Sequence, residues 1–313
     1  MILALSGVSL LLIHSPAYSA LKKPVVVVDE ELWRLSHILV TMGNRVREIN
    51  TRTGSITWEY VDPIGPGIYL NNAERLPNKH TLISRRDKVF EIDEYGQIVW
   101  QRVVDRGNFF YVAFLDAQRL SNGDTLTAGY QCPYGEVNCQ GVLRQYNAAG
   151  QLVRSYFTTL AISFEEADRL ENGNTLLSSD YVQVVTEIDP NNNVVWSYGG
   201  YPGTTAAFDC DRLSNGNTLI SVQHFDNSIL KYSVREITQA GNTVWQYSGL
   251  NGVPEDADRL PDGTTLIADR CLGPYPCNSR IFVVNSAGQI LWQYYTPYPP
   301  SDVDAIPDAY ILP

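Results

Sequence analysis

Acidic side chains stand at two fixed places in a unit that this 313-residue chain repeats with a period in the mid-forties. The first column holds Asn72, Asp116, Glu166, Asp209, Asp256 and Asp302; the second holds Glu74, Gln118, Asp168, Asp211, Asp258 and Asp304. Residues two apart on a strand project to the same side, so a closed array of such units turns each column into a ring of oxygen atoms. Two carboxylates about 8 Å apart at an effective dielectric of ~20 repel by roughly 2 kcal/mol, so such rings need compensation. One form is a cation on the axis, with Ca²⁺ the natural guest of oxygen ligands, although no Asp-x-Asp-x-Asp-Gly calcium loop is present. The other is the arginine one position later in every complete repeat: Arg75, Arg119, Arg169, Arg212 and Arg259. Asp–Arg pairing between neighbouring units is the default expectation.

The elements that position these columns are legible in the repeat. Its fullest copy reads Glu166-Ala-Asp-Arg-Leu170-Glu-Asn-Gly-Asn-Thr-Leu-Leu, then Val184-Val-Thr-Glu-Ile-Asp, then Val194-Val-Trp-Ser-Tyr198. Asp-x-Asp-Arg-Leu predicts an inner strand A. The dipeptides at Asn122, Asn172, Asn215 and Asp262, each followed by Gly, predict type I′ hairpin turns into strand B. Alternation at Val182, Val184 and Thr186 predicts strand C, and an apolar-Trp-x-Tyr pattern at Trp58, Trp100, Trp196, Trp245 and Trp292 predicts strand D. The indoles are expected to pack between units; Arg154 stands in their place in the second complete repeat. Short strands repeated at this period predict an all-β, six-bladed β-propeller with four-stranded antiparallel blades. Blades one to five begin at the five complete repeats. Near the N-terminus His37–Thr41, Arg45–Ile49 and Ser55–Tyr60 supply only strands B, C and D. The C-terminal strand, read as Ser301-Asp302-Val-Asp304, is expected to complete this closing blade and remove the open edges.

Residues 37–313 are therefore read as one propeller, preceded by a 21–36 arm and an apolar 1–20 leader. Ala17-Tyr-Ser19 offers small residues for signal cleavage, although no Lys or Arg precedes the apolar run. Cleavage would leave no membrane span, whereas a retained leader would extend the arm. Cys132/Cys139 and Cys271/Cys277 bracket two short loops that contain Pro and Gly but no His, which favours local disulfides over zinc. Each is worth about 2–3 kcal/mol in the chain-entropy model and points to an extracellular or periplasmic location. Cys210 takes the place of Ala73, Ala117, Ala167 and Ala257, as a small buried thiol would. The net charge of −11 argues against nucleic acid or an anionic membrane surface as partner.

In a four-stranded meander the start of A, the B–C loop and the D–A connection share one face, and there the chain is irregular. The cysteine loops belong to blades two and five, on opposite sides of the ring, and blade four has an extended loop from Gln223 through His224 to Ser228. The D–A connections are rich in Pro, Gly and aromatics, as at Pro63–Tyr69 and Tyr295–Pro300. Loop variation on a fixed scaffold places function on this face, and nineteen tyrosines suit contact with a glycan or a protein. No Gly-x-Ser-x-Gly elbow or phosphate-binding glycine loop is present.

The Asp-x-x-Arg-Leu-x-Asn-Gly-Asn-Thr-Leu…Glu-Ile-Asp…Val-Val-Trp-x-Tyr repeat resembles that of bacterial aryl-sulfate sulfotransferase-like propellers over nearly all of residues 37–313. The resemblance implies a propeller in which a histidine near the channel mouth takes the sulfo group, helped by further His and Arg residues. Of the four histidines only His224 belongs to the irregular face; acids hold the strand-A starts. The leading expectation is therefore a secreted, non-enzymatic structural or binding propeller. The alternatives are a sulfotransferase acting between phenols, with His224 as its catalytic residue, and a glycan- or protein-binding propeller. The arm adds one more expectation. Val25, Val26, Val27 and Val28 form a β-prone segment without a slot in the ring. Donated head-to-tail to a neighbouring copy, it would build filaments; an extra outer strand on its own blade needs no partner.

Overall fold

The computed structural model describes residues 36–64, 69–105, 107, 109–134, 139–158, 163–179, 184–199, 204–271, 278–295 and 309–311. The closing blade contains β1 (His37–Met42), β2 (Arg45–Asn50) and β3 (Ile56–Val61). Blade one is β4 (Leu70–Arg75), β5 (Thr81–Arg85), β6 (Lys88–Ile92) and β7 (Ile98–Val103). Blade two is β8 (Phe109–Arg119), β9 (Thr125–Pro133), β10 (Gln140–Tyr146) and β11 (Leu152–Thr158). Blade three is β12 (Phe164–Arg169), β13 (Thr175–Ser179), β14 (Val185–Ile188) and β15 (Val194–Tyr198). Blade four is β16 (Thr204–Arg212), β17 (Thr218–Asp226), β18 (Ile229–Ile237) and β19 (Thr243–Tyr247). Blade five is β20 (Gly252–Arg259), β21 (Thr265–Cys271), β22 (Arg280–Val284) and β23 (Ile290–Tyr295), and β24 (Ala309–Ile311) pairs antiparallel with β1. The result is six four-stranded antiparallel blades, a six-bladed β-propeller.

Ring closure by the C-terminal strand holds, but its register differs from expectation. Ala309 lies opposite Val40 and Ile311 opposite Ile38. Val40 occupies the place in its blade that Ile83 holds in blade one, where it faces Ala73. The strand that pairs with β1 is therefore Ala309–Ile311, not one beginning at Ser301. Asp302 lies outside the described residues.

The A–B turns also differ from expectation. Gly123, Gly173, Gly216 and Gly263 have φ between 85° and 87°, while the preceding Asn or Asp does not cross to positive φ. Each glycine N–H donates to the leucine carbonyl three residues back, as in Gly173 to Leu170 at 2.9 Å. This is a type I turn ending in a left-handed residue, which leaves the Asn or Asp side chain free to accept the N–H two residues on, as Asn172 does from Asn174 at 2.9 Å.

Apolar side chains cluster between blades rather than within one. Leu176 and Val185 of blade three, for example, pack with Ile220, Ile237 and the buried Cys210 thiol of blade four. Around each core but the one between blade five and the closing blade runs a polar latch. Along strand A the alternation sends the acids toward the next blade and the arginine toward the preceding one, so Arg–Asp pairing of the expected kind does not form. Arg212 instead lies 4.7 Å from the Trp196 ring centroid and 2.6 Å from Glu187, both of blade three. Arg75 meets Trp58 and Glu48 in the same way, Arg119 meets Trp100 and Glu91, and Arg259 meets Trp245 and Glu236. Three of these glutamates also hold their own A–B turn, Glu187 through Asn174 at 2.6 Å, Glu236 through Asn217 at 2.7 Å and Glu91 through His80 at 2.6 Å, while Glu48 accepts from the Thr57 hydroxyl at 2.9 Å.

The Trp indole N–H closes the latch by donating to a turn carbonyl in the next blade, as Trp196 does to Gln239 at 2.8 Å. This explains Arg154. Its guanidinium donates to Asp189 O at 2.8 Å and to the Asn192 side chain at 3.0 Å, reproducing the indole's bond and adding one. The glutamate of this seam is replaced by Gln145, which accepts from Arg169 at 3.0 Å and donates to Asp124 at 2.6 Å. Arg154→Leu should cost about 1–2 kcal/mol in urea unfolding. Combined with Asn192→Gly it should show a coupling of at least ~0.5 kcal/mol; additivity would remove the pair as a unit.

Candidate functional site

Two places gather polar side chains. The first is the axial channel, where both acid columns of blades one to five line a cavity of about 280 Å³. A β-bulge precedes the first column in every one of these blades, at Asn71, Leu115, Glu165, Phe208 and Glu255. Bulges re-aim the residue that follows, here toward the next blade. Two bulge carbonyls are satisfied across the seam, by Ser84 on Leu115 O at 2.8 Å and Ser178 on Phe208 O at 3.3 Å.

The acids then do a specific job. Asp116 accepts the Ala167 N–H at 2.9 Å, Glu166 accepts Cys210 N–H at 2.6 Å, and Asp209 accepts Ala257 N–H at 2.7 Å. In the second column Glu74 accepts Arg119 N–H at 2.8 Å and Gln118 accepts Arg169 N–H at 3.0 Å while donating to Asp168 at 2.6 Å. Each of the main-chain bonds runs from an inner strand to a side chain of the preceding blade, while Gln118 to Asp168 joins two side chains across one seam. Asp256 is buried, as are Asp116 and Asp209, while Asn72 and Glu166 are half-buried. Among the described residues no three His, Cys, Asp or Glu side chains converge to hold a metal ion.

Burial dominates the electrostatics. It pushes the Glu74 carboxyl up to about 7 and Asp116 up to about 7, against the main-chain N–H groups that favour their charged forms. Burial, reinforced by neighbouring carboxylates, drives Glu166, Asp211 and Asp258 well above the usual range.

The second place is a cleft of about 590 Å³ beside blade four, lined by His224, Asp226, Lys231, Tyr232, Gln246, Ser248 and Asn251, among others. The expected extended loop is instead strand almost to its tip. β17 and β18 pair as far as Asp226 and Ile229, joined by Asn227 and Ser228 at φ 49° and 64°, a two-residue turn of the type I′ kind. β19 stops at Tyr247, opposite Val234, so half of the hairpin projects beyond it. Lys231 and Asp226 pair at 2.6 Å on its wall. Burial, and then the Arg235 charge, lower the His224 pKa, which leaves a neutral imidazole in neutral solution, with Nδ1 3.5 Å from Ser233 Oγ. His37 and His80 belong to the opposite, tight-turn face. The lysine, amide and hydroxyl groups of the cleft were not singled out in the sequence; the long interval between the two strands was the available signal.

The irregular face also carries a stacked Tyr111–Tyr130 pair at 5.7 Å and a Phe208–Tyr232 contact at 6.4 Å. Cys132 and Cys139 form a disulfide with S–S 2.00 Å. Cys277, the partner expected for Cys271, lies outside the described residues, as do Val25, Val26, Val27 and Val28.

No protein-family model and no curated protein matches the chain. Solved structures do. A protein of unknown function from Bacteroides caccae is 18% identical with a TM-score of 0.65, over 84% of this chain and 94% of that one. The WD40 β-propeller domain of Doa1 is 10% identical with a TM-score of 0.55, over 89% and 79%. Streptogramin B lyase is 11% identical with a TM-score of 0.52, over 90% and 85%. At these identities the likeness is one of fold.

The raised carboxyls set a direction for stability. Glu74 and Asp116 have folded pKa values near 7, above the unfolded values near 4. Their contribution is full below pH ~4 and is lost as pH rises through ~7. The melting temperature should fall between pH 5 and pH 8, and Asp116→Asn should flatten that slope. A melting temperature that rises over this interval would refute the assignment.

Proposed function

We propose that the protein is an exported, non-enzymatic binding and structural propeller that works through its irregular face and self-assembles through its N-terminal arm. The observation that carries this reading is the division of labour between the two polar sites. Five side chains of the channel columns are engaged in main-chain bonds to the next blade. The blade-four cleft, by contrast, is open and lined by an imidazole, two amides, a serine hydroxyl, a tyrosine and the Asp226–Lys231 ion pair. Polar groups around an aromatic ring suit a glycan or a polar stretch of polypeptide. Export is supported by the Cys132–Cys139 bridge, since such bonds persist in oxidising compartments. Among the described residues no helix is long and apolar enough to cross a membrane.

A second reading, sulfo transfer from an aryl sulfate to a phenol, rests on the resemblance of the repeats and on the cleft position of His224. The two readings separate cleanly. A glycan-array screen of the native protein should give saturable binding that falls at least tenfold in Tyr232→Ala, with no turnover of a chromogenic aryl sulfate. Turnover that disappears in His224→Ala would replace the binding reading with the enzymatic one. Non-reducing peptide mapping of protein purified from its native compartment should recover Cys132 linked to Cys139; free thiols there would remove the support for export.

A further inference from the structure

We propose that the outer edge of β18, from Ile229 to Ser233, is the acceptor for the Val25–Val28 strand of a second copy of this chain. This rests on the self-assembly reading above and names its docking site.

The edge is exceptional within the ring. In the closing blade and in blades one, three and five the outer strand covers the third strand to its first residue, as Arg45 opposite Val61, Lys88 opposite Val103, Val185 opposite Tyr198 and Arg280 opposite Tyr295 show. In blade two coverage stops one residue short, at Gly141 opposite Thr158. In blade four it stops at Val234, leaving Ile229, Leu230, Lys231, Tyr232 and Ser233 paired with β17 on one side only. Among the described residues no strand occupies the other side. A bare edge of this length is a template for an added strand.

The tip of the hairpin, beyond the polar lining of the cleft, suits an apolar guest. Phe225 is 49% exposed, Ile229 61% and Leu230 42%, an apolar group gathered on one hairpin. Phe225 and Leu230 are directly opposed and share one face, while Ile229 lies on the other with Asp226, so a guest strand meets apolar surface on both sides. Four consecutive valines place two side chains on each face, and β-branched residues favour that conformation. The space in line with β19 is the cleft itself.

The geometry also selects a second copy over the same chain. Ser36 bonds the C–D turn of the closing blade through Thr51, so the arm departs from the tight-turn face. The hairpin stands on the opposite face, two blades away. Val28 and Ser36 are eight residue steps apart, a span of about 28 Å at full extension, which favours a neighbour approaching head-to-tail. Such an interface propagates into a filament when its rotation does not close.

The test uses the full chain, a version lacking residues 1–29, and the exposed-site variants Ile229→Asp/Leu230→Asp and Leu230→Lys, with circular dichroism confirming an unchanged fold. Sedimentation and electron microscopy should show polymers of the full chain and monomers of the other three. A labelled peptide of residues 21–31 should bind the truncated protein saturably, and at least tenfold more weakly once Ile229→Asp/Leu230→Asp is added. Polymers lost on truncation but retained in both hairpin variants would overturn the docking site and leave self-assembly standing. Monomers in every preparation, with no peptide binding, would overturn both.

Discussion

The inner strand of each blade has one edge without a sheet partner. Its main-chain N–H groups point away from their own sheet, and buried N–H groups left unpaired are costly. This protein meets that constraint with side chains from the preceding blade: Asp116, Glu166 and Asp209 each accept one such N–H, as do Glu74 and Gln118. The acid rings that look like a ligand site in the sequence are thus the means by which successive sheets are joined around the axis. The arrangement concentrates carboxyls in a confined space, and burial raises their pKa values in consequence.

The outer half of each seam obeys a second rule, in which residues change together. A tryptophan, a strand-C glutamate, a turn asparagine and the next blade's arginine form one hydrogen-bonded and stacked unit. Where Trp becomes Arg154, Glu becomes Gln145, Asn becomes Asp124 and the facing turn carries Asn192, and hydrogen bonds still join the two blades. At the seam between blade five and the closing blade the counterpart of the glutamate is Val283, and Trp292 is fully buried against Tyr294 with its N–H on Thr51 O at 2.7 Å. At that seam an apolar plug takes the place of the polar latch.

On so regular a frame, departures carry information. The β17–β18 hairpin breaks the pattern by outgrowing its outer strand, which creates both an open cleft and a bare edge at one position of six. Blade two carries a disulfide-closed loop on the same face. The ring supplies rigidity, and individual blades supply whatever recognition the protein performs.

Much of this was legible in the residues themselves. The propeller, its blade count and the four strands of each blade follow from a repeated alternation that no other architecture uses at this period, and the Cys132–Cys139 bridge follows from two cysteines flanking a short turn. Turn type was misjudged because Asn-Gly serves either of two turns, and only the leucine–glycine hydrogen bond selects between them. The closing strand was placed at Asp302 because the Asp-x-Asp spacing recurs there, whereas pairing with β1 selects Ala309–Ile311. The partners of Arg212 and Asp209 lie tens of residues away on neighbouring blades, so strand alternation and ring assembly decide them. Local patterning determined the elements, because turn chemistry and alternation act over a few residues. Which polar groups meet, and which edge stays bare, depends on how six sheets pack around one axis, and only the tertiary structure decides that.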